Sequence, residues 1–179
     1  MKKLLTLLVT IALMSIIGCK EEEDTVVTPV ATDPLATTWV SEGANLAPGF
    51  LTSTFRLKKI VATFNTDKSY TVVSTDSSNA TITYKGTYSA SESAVTDTAS
   101  ASNTKGAKIS TIVLTQTTPS SVTSTGIYAI SGTNLRYEVV QTTPAITGIA
   151  APTPANGFGS TSYNGFKYGA YWIQKYVKQ

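Results

Sequence analysis

The residue types that usually carry chemistry are scarce in this chain. It has one cysteine, Cys19, and no histidine. Without histidine, Ser-His-Asp and Cys-His nucleophile systems and zinc-histidine centres are excluded, because nothing supplies the imidazole that acts as base or ligand. Carboxylate chemistry remains, and beyond residue 34 it rests on Glu42, Asp67, Asp76, Glu92, Asp97 and Glu138. Asp67 and Asp76 fall in turn signals, Glu92 and Asp97 in a low-complexity stretch, and Glu138 on the polar face of a strand. Only Glu42, three residues after Trp39, is placed to face the mouth of a barrel, and a glycosidase needs two placed carboxyls. Gly157-x-Gly159 lacks the Gly-Lys-Ser/Thr and the helix of a phosphate loop and reads as turn chemistry. The expectation is a protein that is not an enzyme and has no cofactor and no metal site.

Cys19 stands at a boundary. Lys2 and Lys3 precede an apolar run of fourteen residues, 4–17, which is too short to cross a bilayer and has the layout of a secretory leader. A single cysteine cannot form a disulfide within the chain, and a catalytic one would lack its partner base. The sequence Ile16-Ile17-Gly18-Cys19 resembles the bacterial lipobox. That resemblance implies cleavage after residue 18, a diacylglycerol on the Cys19 sulfur and acylation of the freed amine, and two or more acyl chains make membrane anchoring stable.

Lys20-Glu21-Glu22-Glu23 then opens a segment, 20–34, with five acids against one lysine and two prolines. As physics alone it is a solvated, extended tether. It also resembles the export signal of Bacteroidota surface lipoproteins, which implies an outer-membrane protein facing the cell exterior. Counting Cys19, the tether of 19–34 reaches at most about 50–60 Å when extended and averages ~20–25 Å as a coil.

The rest of the chain, 35–179, has the length of one domain. At 41% hydrophobic and 14% charged residues the full chain has the balance of a globular protein, and its polarity comes mainly from Thr and Ser, which favours strands. Beyond residue 34 it carries eleven Lys and Arg against six Asp and Glu, too mild and too scattered a charge for a nucleic-acid binder. Period-two alternation predicts eight strands at 38–41, 54–65, 69–74, 81–90, 107–116, 121–130, 134–141 and 171–177. The clearest has Ile82, Tyr84, Gly86 and Tyr88 on one face. Two strands shift phase, near Lys58-Lys59 and between Ile109 and Ile112, and each shift predicts a bulge. The fold class expected is all-β, an eight-stranded antiparallel meander barrel.

Two connections are long. Residues 91–105 read as a mobile loop. Residues 142–169 contain three prolines and five glycines, but Phe158, Tyr163, Phe166 and Tyr168 argue that they pack.

An early Trp39, the turn Phe64-Asn65-x-Asp67-x-x-Tyr70 and the paired Gly86-x-Tyr88 and Gly126-x-Tyr128 strands resemble the lipocalin-like, or calycin-like, domains of Bacteroidota lipoproteins. Thr37 stands where strict lipocalins carry the glycine of Gly-x-Trp. The resemblance covers most of 35–179 and implies a small eight-stranded barrel.

An eight-stranded barrel is just wide enough to be filled by side chains or to hold one small ligand. Trp39, Tyr84, Tyr88, Tyr128, Tyr137 and Trp172 are the candidate lining residues, although a filled aromatic core is the reading that large aromatics favour. Exposed aromatics in 142–169 offer a platform for sugar rings or a docking surface for an envelope partner. The functional expectation is a lipid-anchored surface barrel that binds a small apolar or glycan ligand or a partner protein, with a structural accessory subunit as the alternative.

Overall fold

The computed structural model describes residues 33–179; the leader, Cys19 and the export-signal residues Lys20–Glu23 lie outside the described residues. The chain forms an all-β, closed antiparallel barrel of eight strands. The barrel strands are β1 (Thr38–Glu42), β2 (Leu57–Phe64), β3 (Ser69–Asp76), β4 (Thr81–Thr96), β5 (Lys108–Thr118), β6 (Val122–Ser131), β7 (Asn134–Thr143) and β11 (Gln174–Lys178). Each pairs with the next in the chain, and β11 closes the barrel between β7 and β1. Three two-residue strands, β8 (Ile149–Ala150), β9 (Ser162–Tyr163) and β10 (Phe166–Lys167), form a separate small sheet in the 144–173 segment.

Closure demands bends. At Gly86 and Gly126 an added Cβ would lie 2.0 Å from a carbonyl oxygen of the neighbouring strand, Thr115 and Glu138 respectively. Neighbouring backbones approach so closely there that only glycine fits. A bulge at Lys58 shifts the β2–β3 register where the apolar phase changes, as the sequence pattern predicts.

The second phase change has another origin. β5 and β6 pair without interruption from Ile109↔Ala129 to Gln116↔Val122. The irregularity lies in β4, between Glu92 and Thr96, where the Ser93 hydroxyl donates to the Ile109 carbonyl at 2.6 Å. Ile109 is out of phase with Ile112 because β5 buries both faces. Ile112 points into the barrel, whereas Ile109, Ala129 and Arg136 pair in a row on the outside, as do Ile127 and Glu138. Ile109, Ile127, Ala129 and Glu138 are all buried.

The 144–173 segment supplies the outer partners. The Glu138 carboxylate accepts the backbone N–H of Gly159 at 2.6 Å and of Thr161 at 3.0 Å, and the Phe158 ring lies 4.6 Å from the Arg136 guanidinium. Glu138 is therefore on the outer face, as expected, but as a buried anchor for the segment and not as a solvated charge.

The 91–105 segment also departs from expectation. Its first half extends β4, and Asp97 organises the remainder. The Asp97 carboxylate accepts Ala99 N and the hydroxyls of Ser102 and Thr104, and it pairs with Arg136 at 3.1 Å. Burial alone would raise the Asp97 pKa, but these hydrogen bonds and the Arg136 charge outweigh it and hold the carboxyl below its ordinary range. A low-complexity sequence thus becomes a tied loop around one buried carboxylate.

Candidate functional site

The two ends of the barrel differ. The β2–β3, β4–β5 and β6–β7 connections lie at one end, the base, and the β1–β2, β3–β4 and β5–β6 connections at the other, the mouth.

The base is plugged. Trp39 is 0% exposed, and its indole N–H donates to the Leu35 carbonyl at 3.0 Å. The Phe64 and Tyr88 rings meet edge to face at 5.0 Å. Asp33 seals this end: its carboxylate accepts Lys68 Nζ at 2.6 Å, the Tyr88 hydroxyl at 2.7 Å and Leu35 N at 2.9 Å. Partial burial pushes the Asp33 pKa up, but the three hydrogen bonds and the Lys68 charge pull it down further, so it lies below the ordinary value. The Tyr88 pKa is raised by burial and by its bond to the Asp33 carboxylate.

Above this plug the barrel is hollow. A cavity of about 490 Å³ runs toward the mouth, with Ile60, Val72, Leu114, Leu135 and Val139 in its apolar wall. Its volume falls within the range of small-molecule sites. Ser74, Gln116 and Ser124 add polar groups to the lining. Among the described residues, Asp76 is the one charged side chain that borders it. The Asp76 Oδ1 is committed to the β3–β4 turn, accepting Ser78 N, the Ser78 hydroxyl and Ala80 N at 2.7–2.9 Å.

The mouth is rimmed by aromatics from two segments. Phe50 and Phe55, from the β1–β2 connection, and Trp172, just before β11, meet edge to face at centroid distances of 5.6–6.2 Å. Trp172 lies on the backbone of Gly49, where a Cβ would come within 2.4 Å of the ring. Gln174 ties the two segments together: its carbonyl accepts Ala47 N at 2.7 Å, and its amide donates to the Ser41 hydroxyl at 2.5 Å. Beyond this rim, Tyr168 and Tyr171 stack at 6.1 Å beside Lys167, on a shallower outer groove.

The candidates from sequence divide between these regions. Tyr84, Tyr137 and Trp172 line the cavity, whereas Trp39, Tyr88 and Tyr128 are not in its lining and belong to the buried core. Two cavity tyrosines, Tyr70 and Tyr176, are absent from the candidates from sequence. Tyr70 closes the Phe64–Tyr70 turn signature, and Tyr176 alternates with Gln174 in the last strand, so the inward phase of both was available. Glu42 lies away from the cavity, paired with Lys59 at 3.1 Å on the exposed outer surface. Among the described residues no cluster of three or more Cys, Asp or Glu side chains is placed to hold a metal ion.

Fold and site together define a closed eight-stranded β-barrel with a plugged base and an apolar central cavity. Comparison of the chain with protein-family models, curated proteins and solved structures returns no match.

Proposed function

We propose that this is a non-catalytic binding protein of the lipocalin-like kind, which takes a small apolar ligand into the mouth half of its barrel. The observation that carries this reading is the cavity of about 490 Å³ above a fully packed base. A barrel of this size can fill itself with side chains, and the walls of a void forfeit dispersion contacts. Here the base is filled with large aromatics, while the space above them, walled largely by apolar side chains, stays open. Bound apolar matter would recover the lost contacts.

In this reading Cys19 carries the lipid anchor, and Lys20–Glu23 direct the protein to the outer face of the outer membrane, so that the barrel samples ligands outside the cell. Metabolic acyl labelling that persists in Cys19→Ala would contradict the anchor. The ligand reading is tested by purifying the protein from its own membrane and extracting it under denaturing conditions. A near-stoichiometric apolar small molecule is expected. A barrel that yields none, and whose melting temperature no apolar compound raises, would overturn the reading.

One observation favours a second reading, docking of an envelope protein through the 142–169 region. Phe166, at the tip of the small sheet, is 81% exposed beside the half-exposed Tyr163. Exposed aromatics of this kind are what interface cores are made from. Loss of a co-purifying protein in Phe166→Ser, with ligand content unchanged, would support it.

A further inference from the structure

The deep part of the cavity contains a group of polar atoms that the barrel does not use. Tyr70 on β3, Tyr137 on β7 and Tyr176 on β11 all line the cavity and are 4%, 9% and 6% exposed. The Tyr137 and Tyr176 rings meet edge to face at 6.1 Å. Buried phenols normally hydrogen-bond within the protein, as Tyr88 does to Asp33 and Asn65. None of these three hydroxyls has a hydrogen-bond partner among the described residues, and all three side chains border the cavity. Three phenols that border one void and are not committed to any described residue are donors available to whatever occupies it.

The protonation state makes them donors. Burial pushes the Tyr70 pKa up to about 12 and raises that of Tyr176. Tyr137 is raised well above its ordinary value by burial and by the proximity of Tyr176 and Tyr70. Among the described residues no lysine or arginine lines the cavity, and its one charged side chain is the acidic Asp76. A carboxylate or phosphate brought into this space would lose its hydration without meeting a counter-charge.

We propose that Tyr70, Tyr137 and Tyr176 form a donor group that takes the uncharged acceptor of an amphiphilic ligand, a ketone or ester carbonyl, while its hydrocarbon part extends past Val72 and Val139 to the aromatic rim. The inference rests on the ligand reading above and adds the chemistry of the head group, its charge and its orientation in the cavity.

The test uses the mature chain, residues 19–179, produced without the leader and carrying Cys19→Ala so that it bears no acyl chain and needs no detergent, with three probes of equal length: octane, 2-octanone and octanoate. Calorimetric or competition titrations should show that Tyr137→Phe and Tyr176→Phe each weaken 2-octanone binding by roughly three- to tenfold, the range expected for one lost hydrogen bond. They should leave octane binding unchanged, which also shows that the variants are folded. Octanoate should bind more weakly than 2-octanone. If octane binds but the ketone is indifferent to both substitutions, or if octanoate binds more tightly than the ketone, the donor group is overturned while the ligand reading stands. If none of the three probes binds, the ligand reading falls, and the donor group with it.

Discussion

The base and the mouth of this barrel are built from the same strands and opposite physical solutions. At the base, Trp39, Phe64 and Tyr88 fill the interior, and Asp33 ties the entering chain to Lys68 and Tyr88. At the mouth, walls of similar composition stop short of each other, and Phe50, Phe55 and Trp172 form a rim instead of a plug. The difference teaches that barrel closure does not by itself decide whether the interior is full. That depends on where along the axis the large side chains sit, and on whether a polar tie holds an end shut.

This contrast can be broken most severely at the base. Trp39→Ala should cost about 3–5 kcal/mol, since it empties a fully buried indole site. Trp172→Ala should cost only about 1–2 kcal/mol, because its indole is half-buried at an open rim. Urea unfolding of the two variants compares them directly, and equal losses would mean that the mouth is as structural as the base.

Glu138→Ala comes next. It leaves the N–H groups of Gly159 and Thr161 buried without an acceptor, each at about 1–3 kcal/mol. The loss should appear as faster amide exchange at these two positions, ahead of exchange in the barrel strands.

Acid should loosen the carboxylate ties at the base of the barrel. The Asp33 and Asp97 pKa values lie below their unfolded value of 3.8, so the unfolded chain takes up these protons first as pH falls. Their contribution is complete above that value and is lost as pH drops through the folded pKa values. Stability measured from pH 6 downward should hold to about pH 4 and then decline. Asp33→Asn should flatten part of the decline; an unchanged acid profile would remove Asp33 from the account.

The smallest effect is expected from Gly49→Ala. The new methyl would lie 2.4 Å from the Trp172 ring and displace it by about an ångström to reach ordinary contact. Stability should fall by about 1 kcal/mol, with a shift in Trp172 emission and an altered ligand on-rate. Unaltered emission would show that Trp172 does not rest on that backbone.

Alternation made the eight barrel strands legible in the sequence, because a half-buried strand must place its apolar residues at every second position. It did not reveal depth. Tyr88 and Tyr137 both read as inward-facing, yet one seals the base and the other faces the cavity, and period two carries no information about position along the barrel axis. Nor did it reveal strands covered on both faces: Ile109 looked like a slip in β5 because the segment that covers it lies some fifty residues later in the chain. Asp97 and Glu138 looked like ordinary polar residues for the same reason. Their partners, Arg136 for one and two backbone amides for the other, are brought together only by the closed barrel.

The two tryptophans report on the two regions separately, Trp39 in the base and Trp172 at the mouth. The most direct measurement is a proton–nitrogen NMR titration of the indole N–H signals with 2-octanone, assigned through Trp172→Phe. A saturable shift of the Trp172 signal with the Trp39 signal unmoved is the predicted result. Saturable shifts of both to the same degree, or of neither, would contradict the claim that the mouth half of this barrel is a binding site set above a closed base.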